Sequence, residues 1–191
     1  MKLTGFEDLR VQRTIKSIYR AFEELICEKA YSKITVTELA RRAQINKKTF
    51  YRYYETLDDL LAELQARYSQ EYLEEVKDFQ YPRDLDKSVA SFFTFSVKQG
   101  EAYDRITTNM HYSGIRAQMV NKVMNATWGK SPVFQRLSDW QKTILLQFVE
   151  QNGLMIYQRW VAGGKKQPLA EVIDEAQRLT RGGVQEYLHH R

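Results

Sequence analysis

Three features of the sequence predict an all-α fold of about nine helices. Proline is scarce, with 3 among 191 residues, and glycine contributes only 9. Few positions are therefore forced to interrupt a helix. Alternating β-branched runs are few. Apolar residues recur instead at intervals of three and four, the period of a helix that buries one face.

Residues 1–9 read as a loosely held arm, the default for a chain terminus. A helix is predicted from Val11 to Lys29, where Ile15, Ile18, Tyr19, Phe22, Leu25 and Ile26 follow one face and Arg13, Lys16 and Arg20 lie elsewhere. Tyr31-Ser32-Lys33 connects it to a second helix that starts at Thr35. Thr35 and Glu38 have the spacing of a capping box, and Val36, Leu39, Ala40 and Ala43 make the apolar stripe. The stripe stops at Gln44-Ile45. Asn46 is then a suitable N-cap for a third helix, KKTFYRYY. Residues 35–54 thus form two short helices around a tight turn, and the first three helices make a helix-turn-helix unit.

A long helix is expected from Leu57 to about Phe79, opened by Asp58 and Asp59, whose charge suits a helix N-terminus. Pro82, in QYPRD, ends or interrupts it. Residues 84–127 are less regular. Val89, Phe92, Phe93 and Val97 indicate a helix to about Gly100, followed by a short one over Ala102–Tyr112 and another around Met119–Met124. Two strong helices close the chain, at about 134–161 and 168–189. Gly153 costs the first of these about 1 kcal/mol relative to Ala unless a neighbouring helix comes close there. Gly182-Gly183 suggests a bend in the second. Both have wide apolar faces, which predicts a two-fold dimer through a four-helix bundle.

The third helix has an informative cross-section. At about 100° per residue, Phe50 and Tyr54 share the inward side, Lys48 and Arg52 point opposite, and Lys47, Thr49, Tyr51 and Tyr53 flank them. Arg and Lys can donate to guanine O6 and N7, and Thr and Tyr hydroxyls to phosphate oxygens. Charge is distributed accordingly. The chain carries +5 overall. Residues 10–54 hold 11 Lys and Arg against 4 Asp and Glu, leaving 18 basic and 20 acidic residues for the rest. The whole positive excess sits where phosphates would be met.

Other classes find little support. No apolar run approaches the ~20 residues needed to cross a bilayer, and no basic segment followed by an apolar one marks a signal peptide. The single cysteine, Cys27, cannot form an internal disulfide and fits a reducing cytoplasm. There is no Gly-rich phosphate loop, no G-x-S-x-G elbow, and no Cys-x-x-Cys or His-x-x-x-His pair. No enzyme activity, cofactor or metal site is indicated. The aromatics Phe92, Phe93, Tyr103, His111, Tyr112 and Trp128 are candidates for lining a ligand cavity. A plain helical core is the competing reading.

The segment from about Arg10 to Leu61 resembles the N-terminal domain of the TetR/AcrR family of transcriptional regulators. The residues that carry the resemblance are ITVTELARRAQINKKTFYRYYETLDDLL: Thr35 and Thr37, the Leu39-Ala40 pair, Ala43, the Phe50-Tyr51 pair, Tyr54, and Leu60. There are two departures. Gln44 stands where the family usually has Gly in the turn, and Leu57 where it usually has a phosphate-contacting Lys. The resemblance implies a DNA-binding domain over residues 1–56 and an effector-binding and dimerisation domain over 57–191, linked by the helix 57–79. Matched residue by residue, Lys48, Thr49 and Arg52 would contact bases in the groove, and Thr35, Thr37, Lys47, Tyr51 and Tyr53 would contact phosphates. The implied activity is repression by a homodimer on a palindromic double-stranded operator, relieved by a small-molecule effector. The alternative is a family-related coactivator whose C-terminal domain binds a protein partner.

Overall fold

Helix α1 spans Leu9–Glu28 and buries Ile15, Ile18, Phe22, Leu25 and Ile26 as the spacing predicts. A short 3₁₀ turn at Tyr31–Lys33 leads to α2 (Val36–Arg42), α3 (Lys47–Tyr53) and α4 (Leu57–Val76). There follow α5 (Leu85–Gln99), α6 (Glu101–Thr108), α7 (Ser113–Trp128), α8 (Pro132–Gln135), α9 (Asp139–Ala162) and α10 (Leu169–His189). This computed structural model describes residues 9–108 and 113–189, and no strand occurs among them.

Packing divides the chain into two units: Met1–Tyr68 with Glu101–Ile115, and Ser69–Gly100 with Arg116–Arg191. This partition does not coincide with the division at residue 57 read from the sequence. It falls inside α4, between Tyr68 and Ser69, and it assigns α6 to the N-terminal unit. The reason is Ile106, which joins the core of Phe22, Leu39, Phe50, Leu60, Leu61 and Leu64, while Tyr103 packs edge-on against Tyr68 at 5.1 Å between ring centroids.

In the second unit, α10 packs on α5 and α9. Tyr81, Leu85, Trp128, Phe134, Leu137, Leu145 and Val184 form a core. Asn152 donates to Thr180 Oγ1 at 2.7 Å, and Gln177 donates to the carbonyl of Asp86 at 2.8 Å. These bonds tie α10 to both neighbours.

The predicted helix 134–161 is two helices. Ser138 interrupts it with a reciprocal capping box: its Oγ accepts from Gln141 N–H at 3.3 Å, and its own N–H donates to Gln141 Oε1 at 2.8 Å. The last helix runs unbroken through Gly182 and Gly183. Apolar residues on α9 divide between two directions. Leu145, Leu154, Tyr157 and Trp160 are buried, whereas Trp140, Ile144, Phe148 and Met155 are exposed, Trp140 by 72%.

Candidate nucleic-acid interface

Thr35 starts α2, its Oγ1 accepting from the Glu38 N–H at 3.2 Å. Only this half of the predicted capping box forms. The Glu38 carboxylate accepts instead from Lys29 Nζ at 2.6 Å, which ties α2 to the end of α1. Arg42 reinforces that join with a two-pronged contact to Glu28, one prong at 2.8 Å. The Glu28 carboxyl is held below its usual range by the hydrogen bond from Arg42.

The turn after α2 has the hydrogen bonds of a Schellman motif. Ile45 N–H reaches Ala40 O at 2.9 Å and Gln44 N–H reaches Arg41 O at 3.2 Å. Such a motif needs a left-handed residue after the C-cap, and here that residue is Gln44, with φ 56°. It is the position at which the family usually has Gly. Asn46 then caps α3 by accepting from Lys48 N–H at 2.9 Å.

Helix α3 is anchored by Phe50, fully buried, and by its C-cap Tyr54, also buried. Tyr51 stands edge-on to Phe50 with ring centroids 5.5 Å apart and is 55% exposed. Lys47, Lys48 and Arg52 are all exposed. Among the described residues, none of the three engages a carboxylate, nor does Arg41 on α2. Thr35 and Thr37 are exposed, Thr49 is half-buried, and Tyr53 is half-buried against the core. The hydroxyl oxygen of Thr35 serves the cap, yet its O–H remains able to donate outward. The unit therefore presents cations and hydroxyl donors on one helix whose opposite side is fixed in a core. That is the arrangement a phosphate-lined groove requires.

Residues 17–64 match the family model of bacterial regulatory proteins, tetR family. That segment is a TetR-family N-terminal domain. The chain is 26% identical over 123 residues to YxbF, an HTH-type transcriptional regulator of Bacillus subtilis (strain 168), an overlap covering 64% of this chain and 29% of YxbF. It is 37% identical over 49 residues to DhaS, the dhaKLM operon activator of Lactococcus lactis, an overlap covering 26% of each chain. The chain thus spans under a third of the length of these curated relatives. In fold it is similar to the regulator FadR of Bacillus subtilis, solved in complex with stearoyl-CoA. The TM-score is 0.69 at 16% identity, over 86% of this chain and 96% of that one.

Leu57, which stands where the family usually has a phosphate-contacting Lys, has a packing role here. It packs partly buried against the N-terminal core. The start of α4 is closed by Thr56 and Asp59. Asp59 N–H donates to Thr56 Oγ1 at 3.1 Å, and Thr56 N–H donates to Asp59 Oδ2 at 2.9 Å. Asp58 accepts from the Tyr31 hydroxyl. The sequence carries this cap as T-x-x-D at 56–59, so Asp59 serves the helix start by hydrogen bonding as well as by charge.

Four of the six candidate cavity residues are described, and each packs in an aromatic contact. Phe92 and Phe93 form a cluster with Tyr157, at 5.8 and 5.9 Å between ring centroids. Tyr103 packs on Tyr68, and Trp128 on Tyr81 at 4.9 Å. His111 and Tyr112 lie outside the described residues. A cleft of about 440 Å³ opens elsewhere in the second unit, between Leu85, Asp86, Val133, Arg181 and Leu188. Arg181 on its wall is already paired with Asp86.

Sequence reasoning also missed Gln65. It is buried on α4, and among the described residues neither of its amide atoms has a hydrogen-bond partner.

Proposed function

We propose that this chain is a DNA-binding transcriptional regulator that represses from a palindromic operator as a homodimer and is released by a small-molecule effector. The observation that carries this reading is α3 itself: Phe50 and Tyr54 are locked inward, while Lys47, Lys48 and Arg52 are exposed and unengaged by carboxylates among the described residues. Lys48, Thr49 and Arg52 are assigned to base edges. Thr35, Thr37, Lys47, Tyr51 and Tyr53 are assigned to phosphates. With Leu57 turned to packing, phosphate anchoring rests on α2 and α3.

The exposed apolar stripe of Trp140, Ile144, Phe148 and Met155 on α9, with Leu179 on α10, supports dimerisation through these helices. Two copies would then set their recognition helices about 34–36 Å apart, one helical turn of DNA. Effector binding belongs to the C-terminal unit in this reading, and the effector acts only through its differential affinity for the DNA-bound and released states. The protein would work in the cytoplasm. The alternative of a coactivator recruited by a protein partner is not favoured, because the α3 face keeps the charge and hydroxyl donors that DNA needs.

Selection of duplexes from a random-sequence library by the purified full-length chain, followed by a salt series, tests the reading. A palindrome whose half-sites lie about 10 base pairs apart, bound with affinity that falls steeply as salt rises, is the expected result. Enrichment of no sequence would overturn it.

A further inference from the structure

A seven-residue helix cannot hold its own orientation. Isolated helices shorter than about 12–15 residues are marginal in water, so α3 points where its anchors direct it. Its apolar anchor is Phe50, buried among α1, α2 and α4 side chains. Apolar burial is non-directional, so by itself it permits the helix to roll. A hydrogen bond has direction, and one such bond reaches α3 from below.

The Tyr54 hydroxyl, at the end of α3, donates to Glu63 Oε1 on α4 at 3.3 Å. The same oxygen accepts from the Tyr19 hydroxyl of α1 at 2.6 Å. Three helices therefore meet at one carboxylate. One turn along α4, Arg67 lies over the Tyr19 ring at 4.7 Å and donates to Glu23 of α1 at 3.0 Å. Glu23 also accepts from Tyr68 at 3.0 Å. This second rung fixes α4 against α1, so Glu63 is held in place before it receives Tyr54. Burial first, and the bond to Glu63 second, push the Tyr19 hydroxyl up to about 12, and burial likewise raises that of Tyr54, so both hydroxyls stay protonated donors at neutral pH.

We infer that Glu63 is a positioning residue for DNA reading: through Tyr54 it sets the roll of α3 and hence the direction in which Lys48 and Arg52 project. This inference rests on the DNA-binding reading above and names the contact by which α4 controls it. Base readout needs donors placed to within hydrogen-bond geometry, whereas phosphate attraction needs only charge. Loosening α3 must therefore cost discrimination and leave sequence-blind binding intact.

The test uses the full-length chain, a duplex it has itself selected from a random-sequence library, and a scrambled duplex of the same length and composition. The readout is the ratio of the two affinities, measured well below the melting temperature. Tyr54→Phe and Glu63→Gln are each expected to lower the ratio by about five- to tenfold, the weight of one hydrogen bond, with scrambled-duplex affinity unchanged within about twofold. Tyr81→Phe removes a buried tyrosine hydroxyl from Ser88 Oγ, a 2.6 Å bond in the second unit. It should lower the melting temperature comparably and leave the ratio unchanged, which a purely structural role cannot mimic. A ratio unchanged in both Tyr54→Phe and Glu63→Gln overturns the inference, as does an equal fall in Tyr81→Phe. Failure of the unaltered chain to select any sequence instead overturns the DNA reading, and this inference with it.

Discussion

Phe148 lies directly over Gly183: a Cβ added to the glycine would stand 2.5 Å from the ring Cζ. The two residues belong to α9 and α10, and the ring is 41% exposed. Gly183→Ala would therefore displace the ring outward without breaking the core. Stability of the folded chain should fall by less than about 1 kcal/mol, while the exposed face of α9 changes shape. If that face joins two copies, dimer dissociation measured by analytical ultracentrifugation should rise by about tenfold or more. Gly153 behaves oppositely. Its nearest neighbour to an added Cβ is Phe92 at 3.8 Å, an ordinary contact, so Gly153→Ala should gain about 0.5–1 kcal/mol in urea unfolding. A loss in the second variant would contradict the packing described.

Gln44 occupies the left-handed position that the Schellman turn between α2 and α3 demands. A non-glycine residue there costs about 1–2 kcal/mol, partly offset by the unfolded-chain entropy a glycine would add. Gln44→Gly should raise stability by about 0.5–1 kcal/mol and keep DNA binding. Denaturant midpoints of the two proteins decide the matter; a lower midpoint in the variant would show that the Gln44 side chain makes a compensating contact.

These glycine and turn positions illustrate what local spacing carries. The caps at Thr35 and Asn46, the inward Phe50 and Tyr54, and the outward Lys48 and Arg52 were legible because each depends on residues within one or two turns. The break before α9 was also legible, as S-x-x-Q at 138–141, but the apolar period running on from Phe134 concealed it. The Tyr19–Glu63–Tyr54 junction was not legible, since its partners lie 44 and 9 residues from Glu63 and no periodicity links them. Aromatic content likewise did not say which helices Phe92, Tyr103 and Trp128 would meet.

Asp84, before α5, gives the second unit an acid-sensitive joint. Gln80 N–H donates to it at 2.9 Å, and Arg83 and Lys87 donate at 3.2 and 3.1 Å. The backbone bond first, then the two cations, hold its carboxyl well below the usual range. A depressed folded pKa stabilises the fold at pH values above the unfolded value, about 3.9, and that contribution is lost as pH falls through the folded pKa. Asp84→Asn should thus be less stable than the unaltered chain at pH 7, with the gap narrowing below about pH 4. Urea unfolding across that range measures it, and a gap independent of pH would refute the role of the charge.

Gln65 is buried with both amide atoms unpartnered among the described residues. Replacing such a group by an apolar one of similar shape is neutral or stabilising, by up to about 1–2 kcal/mol. Gln65→Leu should show that gain in thermal and urea unfolding. A loss of similar size would mean that the amide is satisfied by water or a bound molecule.

Base reading by α3 is tested by comparing Arg52→Ala and Lys47→Ala on the selected and the scrambled duplex, each over a salt series. Arg52→Ala should weaken the selected duplex by about 1–3 kcal/mol more than the scrambled one. Lys47→Ala should weaken both alike and reduce the salt slope by about one. Equal weakening of the two duplexes by Arg52→Ala would mean that α3 holds the backbone without reading sequence.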